Sequence, residues 1–410
     1  MTADAAKPGG SRGIAMLIPE FPGQTHAFFW REIAAMEAAG APVQIVSTRK
    51  PAPEACPHTF REAAVARTTY VFPPDIGRAA LFLARRPGAA LAALRYVQGL
   101  RETPAARRAR LVGLIPSAVE LVRLCQAQGI DHVHIHSCAN AAHLGALAQI
   151  LGGIDYSLTL HGNLPVYGTD HGSKMARARF VSAVTRPLAD EIRSVRADLP
   201  APVIMMGVDT DRFAPAPAPE GARARPFEVV SIARLNPTKG HRFFLRAMAA
   251  LRDAGGAPVH YTIAGDGPAR EAIVAEIAAL GLGDQVDLIG SVSEDRVLSL
   301  LQGADALALT SIGQGEAAPV AVMEAMACGL PVISSVIGGT PDMVDDGRDG
   351  LLVPQEDVEA ITAALRQLAD DPQYASRIGT AARATALKLF DYRANAARLL
   401  AEIRTAQDAG

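Results

Sequence analysis

Several absences narrow this chain before any motif is read. It has only four cysteines, Cys56, Cys125, Cys138 and Cys328, scattered and without a CxxC pair. That usage argues against a zinc ribbon or a disulfide framework and fits reduced thiols in a cytoplasm. No uncharged apolar run reaches transmembrane length; the nearest, residues 77–100, is broken by arginines. Residues 1–12 are polar and Gly-rich without an apolar stretch, so a loose tail is expected there and not a secretion signal. Net charge is −2, from 40 Lys and Arg against 42 Asp and Glu, which is not the balance of a nucleic-acid binder. No Gly-x-Gly-x-x-Gly follows an early strand, which disfavours a dehydrogenase.

What is present is an alternation. Short apolar runs at 13–18, 43–47, 132–136, 156–160, 180–184 and 203–205 read as strands, with helical patterns such as 27–39 and 141–151 between them. That alternation is the pattern of a doubly wound parallel sheet. Residues 213–221 (Phe-Ala-Pro-Ala-Pro-Ala-Pro-Glu-Gly) cannot hold a ladder, because proline lacks the donor, and read as a linker. The pattern then restarts, with strands at 228–233, 259–265, 286–290, 305–311 and 332–335 and helices at 241–253 and 269–280. The 410 residues, 49% of them hydrophobic, therefore divide into two α/β domains, 1–208 and 209–388, with a last helix within 389–410. Two such domains joined once suggest a cleft, and open α/β sheets bind ligands beyond the carboxyl ends of their strands.

The most informative segment is Glu316-Ala-Ala-Pro-Val-Ala-Val-Met-Glu324, followed by Ala-Met-Ala-Cys-Gly-Leu-Pro-Val. Pro319 fits the first helical position, and Gly329 reads as the stop. Glu316 then lies on the loop entering the helix, and Glu324 lies inside it, leaning back toward the N-terminus. A helix N-terminus near Val320 carries free N–H groups and roughly half a positive charge, which suits a phosphate. The two carboxylates suit hydroxyls. A nucleotide sugar offers both. Arg234-Leu-Asn-Pro-Thr-Lys239-Gly follows directly on a strand, and its two cations can grip phosphate oxygens. Gly265-Asp266-Gly267-Pro268 reads mainly as a strand-to-helix turn, and Ser293 as an N-cap.

The Glu316–Glu324 segment resembles the E-x7-E motif of family 4 retaining glycosyltransferases, which have the GT-B fold of two Rossmann-like domains. Its continuation is similar to the exopolysaccharide and colanic-acid type. The resemblance extends to the Arg234–Lys239 loop, with Ala233 in place of the usual glycine, and to the turn at Gly265. It implies that Arg234, Lys239 and the amides near Val320 hold the donor diphosphate, that Glu316 holds the sugar and Glu324 the ribose, and that the backbone at Val292 reads the base. In the first domain, His161-Gly162-Asn163 ends a strand and matches the histidine that faces the donor sugar, although Gly-Asn-Leu-Pro follows it here instead of Ala-x-Asp. Phe21-Pro-Gly23-Gln-Thr-His resembles another family element, with Gln24-Thr25-His26 replacing Ser-Glu-Thr. Gly23 there is expected to admit the donor phosphates. The last helix is expected to return to the first domain, as in GT-B proteins.

His132, His134 and His136 alternate and so share one face of a strand. No fourth ligand pattern accompanies them, so packing is preferred over a metal site. No Asp-x-Asp of the metal-dependent glycosyltransferase kind stands in a plausible loop, and no cofactor is expected. Residues 78–110 hold eight arginines against one acid, Glu102, in an apolar helical pattern. A basic amphipathic helix pair of this kind can lie on an anionic membrane surface.

The resulting expectation is a metal-independent enzyme, cytoplasmic or peripheral at the inner face of the membrane. It moves a sugar from a UDP or GDP donor to a hydroxyl, with a polyprenyl-diphosphate-linked saccharide as the acceptor the resemblance implies. The alternatives are a GT-B epimerase or inverting transferase, which need a base that the sequence does not show, and a non-catalytic nucleotide-sugar binding protein.

Overall fold

The computed structural model describes residues 12–23, 26–56, 58–216, 225–313 and 316–409. Gln24, Thr25, most of the N-terminal tail and the middle of the Pro-rich linker lie outside the described residues. The chain forms two compact units, one running to Ile204 and taking in Arg393 onward, the other spanning Met205–Tyr392.

The first unit holds β1 (Gly13–Leu17), β2 (Val43–Ser47), β3 (Thr68–Tyr70), β4 (Ile130–Ile135), β5 (Asp155–Leu160) and β6 (Val181–Ala183), in the order β3-β2-β1-β4-β5-β6. The second holds β7 (Phe227–Ile232), β8 (Val259–Ala264), β9 (Val286–Gly290), β10 (Ala306–Leu309), β11 (Val332–Ser335) and β12 (Leu351–Val353), in the order β12-β11-β10-β7-β8-β9. All named pairings are parallel. Numbered within its own unit, each sheet repeats one order and reverses direction at one place, β1/β4 and β7/β10, where such sheets bind ligands. Helices cover both faces, so the central strands are largely buried; all four residues of β10 are buried.

Two strands escape the sequence reading. β3 and β12 are three-residue edge strands, too short to show a period. The strand expected at 203–205 does not form; a single bridge joins Ala183 to Val203. Val181 and Ala183 donate to the Pro200 and Pro202 carbonyls and Ile204 N–H donates back to Ala183, but Pro202 has no N–H to return to Val181, so the pairing stops at that one bridge.

Helix Tyr392–Asp408 belongs to the first unit from Arg393 onward. Its Ala396, Leu399, Leu400, Ile403 and Ala406 recur at helical spacing and pack into one buried cluster with Ile14, Met16, Phe29, Ile33 and Ile45. Leu399 is 1% exposed. Leu399→Ala is expected to destabilise this unit by about 2–5 kcal/mol, the usual range for a buried leucine. A lowered urea midpoint checks this; an unchanged midpoint would show that the helix contributes no core.

Candidate functional site

In the second unit the site is built from loops at the carboxyl ends of β7, β10 and β11. The loop after β7 closes in a 3-10 turn, Pro237–Lys239, and Gly240 follows with φ +65°. A Cβ on Gly240 would stand 1.9 Å from the Thr310 carbonyl oxygen, so only glycine fits. Thr310 Oγ1 donates to the Gly240 carbonyl (3.1 Å), and Ile312 N–H donates to that of Thr238 (2.8 Å). These contacts fasten the β7 loop to the segment after β10. As a result Lys239 Nζ forms an ion pair with Glu316 Oε1, and Ser311 Oγ donates to the same oxygen (3.0 Å). The Glu316 side chain is 11% exposed and that of Lys239 23%.

Arg234 stands on the same β7 loop, exposed, and its side chain meets no carboxylate among the described residues. The Gly265–Gly267 turn lies directly against this loop. Leu235 N–H donates to the Asp266 carbonyl (3.0 Å), and Cβ atoms on Gly265 and Gly267 would strike the carbonyl oxygens of Ala233 (1.8 Å) and Leu235 (2.6 Å). The turn thus supports the loop that carries Arg234.

Helix Val320–Ala327 begins one residue later than the sequence reading placed it. Pro319 is its N-cap, with extended ψ of 116°, and is not the first helical residue. Its carbonyl accepts from Val322 N–H (3.1 Å), and the amides of Val320 and Ala321 come before any bond within the helix. At the other end Gly329 N–H donates to Met326 and Leu330 N–H to Ala325, with Gly329 at φ +75°, a Schellman stop. Glu324 is half-buried within the helix. Burial, and then the nearby Glu324 charge, pushes the Cys328 thiol up to about 12, which leaves it inert. Ser293 caps helix Glu294–Gly303 as expected, accepting from Arg296 N–H, and Val292 is half-buried beside it at the end of β9. Two residues the sequence reading passed over complete this site. Ser311 holds Glu316. Gly338, at φ +53°, lets the loop after β11 reach within 1.5 Å (measured to an added Cβ) of the Glu316 carbonyl oxygen. The Gly338-Gly339 pair after a strand was the available signal.

In the first unit, His161 follows β5. Its N–H donates to Tyr167 Oη (3.0 Å), and Glu191 takes Asn163 Nδ2 (2.5 Å) and Leu164 N–H (2.8 Å), fixing the loop. His161 Nε2 meets His136 Nδ1 at 3.1 Å, and Glu32 Oε1 lies 2.9 Å from His136 Nε2. Burial first, then His136 and His26, keeps the His161 pKa well below the usual imidazole range. The open side of Gly23 faces the His26 ring, 3.0 Å from where a Cβ would stand. His132 and His134 form a buried ladder with Ser157 and Thr159 at 2.7–2.8 Å, the packing role expected of them. Among the described residues no cluster of His, Cys, Asp or Glu could hold a metal.

The arginine-rich segment forms three helices, Ile76–Ala84, Pro87–Gln98 and Ala105–Val112, where a pair was expected. Pro87 and Pro104 each fit only a helix start, so each breaks the run. Arg78 pairs with Asp75, Arg86 lies 4.0 Å over the Phe82 ring, and Arg108 donates to the Gln98 and Leu100 carbonyls. Ile76, Leu81, Leu91 and Leu94 are exposed beside Arg85 and Arg95. A cavity of about 680 Å³ opens at the carboxyl ends of this unit's strands, lined by Arg49, Val71, Phe72, Arg107, Leu144 and Val166 among others.

The family described as "Glycosyl transferases group 1" matches residues 215–385. A GDP-mannose-dependent alpha-(1-6)-phosphatidylinositol monomannoside mannosyltransferase of Mycolicibacterium smegmatis is 32% identical over 314 residues, 69% of this chain and 78% of that protein. The putative colanic acid biosynthesis glycosyltransferase WcaL of Escherichia coli is 38% identical over 41% of this chain, and the amylovoran biosynthesis glycosyltransferase AmsK of Erwinia amylovora 34% identical over 49%. The chain spans under half the length of these two, 43% and 49%. In fold, it is similar to Anabaena HepE crystallised with UDP (TM-score 0.73, 19% identity, 96% of this chain and 100% of that one). A glycosyltransferase from Rickettsia africae scores 0.73 at 16% identity, covering 98% and 100%.

Burial holds His132, His143 and His241 at about 4, against an ordinary 6.5, and keeps His134 well below that value. Above pH 6.5 both folded and unfolded chains carry these rings neutral, and no stability depends on them. As pH falls from 6.5 toward about 4 the unfolded chain takes protons that the folded chain refuses, so stability is lost over that window. The melting midpoint is expected to drop there; a flat profile across the window would mean these rings are not buried neutral.

Proposed function

The chain belongs to the group 1 glycosyl transferases, and on that premise we propose that it is a retaining, metal-independent family 4 enzyme moving a sugar from a UDP or GDP donor to a hydroxyl acceptor. One observation carries the reading: Lys239 is paired with Glu316, four residues before helix Val320–Ala327, from the same loop that presents Arg234. Breaking the anomeric C–O bond puts negative charge on a departing diphosphate. Arg234, Lys239 and the amides at Val320 and Ala321 are the fixed positive groups that would stabilise it, and stabilisation of this kind usually contributes more to such catalysis than any other effect. These cations take the place of a divalent ion, which supports metal independence. Both Lys239 and Ser311 contact Oε1 of Glu316, and neither contacts Oε2, which suits Oε2 to a sugar hydroxyl. Glu324 is assigned to the ribose and Val292 to the base.

The retaining course follows from the family 4 reading, and it is assigned a front-face path because no nucleophile for a double displacement is poised near this loop among the described residues: Cys328 is buried and inert, and Glu316 is engaged by Lys239. The leaving phosphate is then the group that takes the acceptor proton. The relatives support both bases, one being named for GDP-mannose and HepE being crystallised with UDP.

For the acceptor, the reading is a lipid-linked saccharide, such as one on a polyprenyl diphosphate, in exopolysaccharide or cell-surface glycan synthesis. The first-unit cavity supports it by joining apolar Val71, Phe72, Leu144 and Val166 to the cations Arg49 and Arg107. Among the described residues no helix is long and apolar enough to cross a membrane. Contact with the surface of the inner leaflet would come through the exposed Ile76, Leu81, Leu91 and Leu94 beside Arg85 and Arg95.

Three outcomes are expected. UDP- or GDP-sugars raise the melting midpoint, and Lys239→Ala removes most of that shift. Lys239→Ala also lowers kcat by about 100- to 1,000-fold, the usual effect of losing one donor to a developing anion. If no nucleotide sugar shifts the midpoint, or the variant responds like its parent, the donor site is wrongly placed; binding without transfer or hydrolysis would identify a binding protein. Separately, anionic vesicles sediment the protein, and the double change Leu91→Glu, Leu94→Glu releases it, whereas equal sedimentation of both would end the membrane reading.

A further inference from the structure

Two cavities of the first unit share Arg107, Leu114 and Asn140 in their walls. One is the cavity of about 680 Å³ at the strand ends; the other, of about 540 Å³, is lined also by Pro104, Ala106, Arg110 and Leu111. Their linings differ in chemistry. The larger offers the hydroxyls of Thr48, Ser137 and Tyr167. The smaller offers no side-chain hydroxyl and no carboxylate, only apolar groups, Asn140 and the two arginines. The larger holds one acid, Glu20, and that acid is already used: Arg49 Nε donates to Glu20 Oε1 (2.6 Å) in an exposed ion pair. Arg107 and Arg110, both exposed, have no such partner. Among the described residues neither guanidinium meets a carboxylate, carbonyl or ring.

Arg107 is nonetheless held in place. Its head packs over Gly168, where an added Cβ would stand 3.5 Å from Arg107 Nη2. Thr103 Oγ1 donates to Asp170 Oδ2 (2.6 Å), Glu102 N–H donates to Asp170 Oδ1 (3.2 Å), and Asp170 N–H donates to Glu102 Oε2 (2.7 Å). These bonds tie the residues before helix Ala105–Val112 to those after Gly168. They also engage both carboxylates beside the helix, which therefore do not serve Arg107. Lys174, 2% exposed, donates to the Tyr167 carbonyl (2.9 Å) and steadies the same loop. Arg107 stands in the first turn of its helix, where no acid accompanies it and where the helix dipole disfavours a cation. The adjacent Arg108 shows the contrast, spending its guanidinium on the Gln98 and Leu100 carbonyls. A cation fixed in a cavity wall, at an unfavourable helix position and with no internal anion, calls for an anion from outside.

We propose that Arg107 and Arg110 select the acceptor by gripping a diphosphate ester that joins its saccharide to an apolar chain. This deepens, and rests on, the reading of the chain as a sugar transferase whose acceptor occupies the first unit. Residues three apart on a helix are neighbours on its surface, so the two guanidinium groups offer one fork to each of two phosphate groups. The difference between the linings sets the direction. The saccharide lies in the larger cavity, among its hydroxyls and at the carboxyl ends of β1, β2 and β4, and the apolar chain runs along Pro104, Ala106, Leu111 and Leu114. Arg49 contributes little to this selection, because Glu20 already balances it. A lipid without phosphate leaves the two arginines unanswered, and a phosphate without lipid leaves the apolar wall uncovered.

The test is calorimetric titration of the full chain with farnesyl diphosphate, inorganic pyrophosphate and farnesol. Farnesyl diphosphate is expected to bind, and each of the other two, lacking one half of the ligand, to bind at least about 10-fold more weakly. Arg107→Gln lowers the affinity for farnesyl diphosphate about 10- to 100-fold, the range for hydrogen bonds to a charged group. Arg108→Gln removes the same charge from the same helix and leaves the affinity within about 3-fold, as a screened distant charge does. No binding of farnesyl diphosphate, equal binding of farnesol or of pyrophosphate, or equal losses in the two variants would each overturn the proposal. Loss of binding in Lys239→Ala but not in Arg107→Gln would place the diphosphate in the second unit and overturn it too. The comparison of the three probes needs no variant, so a misfolded one leaves it decisive. Arg107→Gln is expected to keep the shift in melting midpoint that nucleotide sugars produce, so failure here is distinct from failure of the Lys239 site.

Discussion

Two close backbone approaches fix the second unit's site, and both require glycine. Gly240 stands against the Thr310 carbonyl and Gly338 against that of Glu316, at distances where any Cβ would overlap an oxygen. The first approach brings the β7 loop onto the segment after β10, and the second lays the β11 loop over Glu316. Lys239 and Glu316, 77 residues apart in sequence, are in contact because those backbones are. Glycine's conformational entropy works against ordering such loops, and the hydrogen bonds from Thr310 and Ile312 offset it.

The sheets set the stage in the same way twice. Each unit reverses its strand order at one place, and the loops that matter leave the carboxyl ends of strands around it: β7, β10 and β11 in one unit, β4 and β5 in the other. The two units fill these positions with different chemistry. The second uses cations and a carboxylate on half-exposed loops. The first buries imidazoles, matching both nitrogens of His134 to Ser157 and Thr159 and leaving one nitrogen of His161 buried without a partner at the strand ends. A satisfied buried polar network rigidifies its surroundings, and a polar atom left unmatched beside it is costly.

The sequence made the long Val- and Ile-rich strands and the Gly329 stop legible because each is written in consecutive residues. Lys239 and Glu316 were legible as neighbours through motif resemblance, not through spacing. Pro319 was misplaced by one residue because proline suits the cap and the first helical position almost equally; the choice came from ψ. The failed strand at Val203 was decided by two prolines whose missing donors matter only once β6 is beside them. The alternation at His132, His134 and His136 disclosed a shared face, yet nothing local told that two of them meet hydroxyls and the third meets Glu32. That division depends on where along β4 the first helix brings Glu32, a tertiary fact. Ser311 was illegible for the same reason, since a serine five residues before a glutamate carries no signal until the loop folds back.

The Lys239–Glu316 pair also bears on how such a site is kept ready. Two opposite charges with side chains 23% and 11% exposed have lost much of their water, and each compensates the other. Removing one would leave its partner as an uncompensated, largely buried charge, so the pair acts as a unit and effects of single substitutions there do not add. On the proposed reading, an arriving diphosphate would change the balance. Its negative charge would give Lys239 a second anion, and the ammonium has three donors to share between them. Glu316 would then be free to spend its remaining oxygen on a hydroxyl without losing its cation. Positive charge would not need to be brought in or rearranged when the leaving group develops, which is how a pair of this kind serves a reaction of the proposed type.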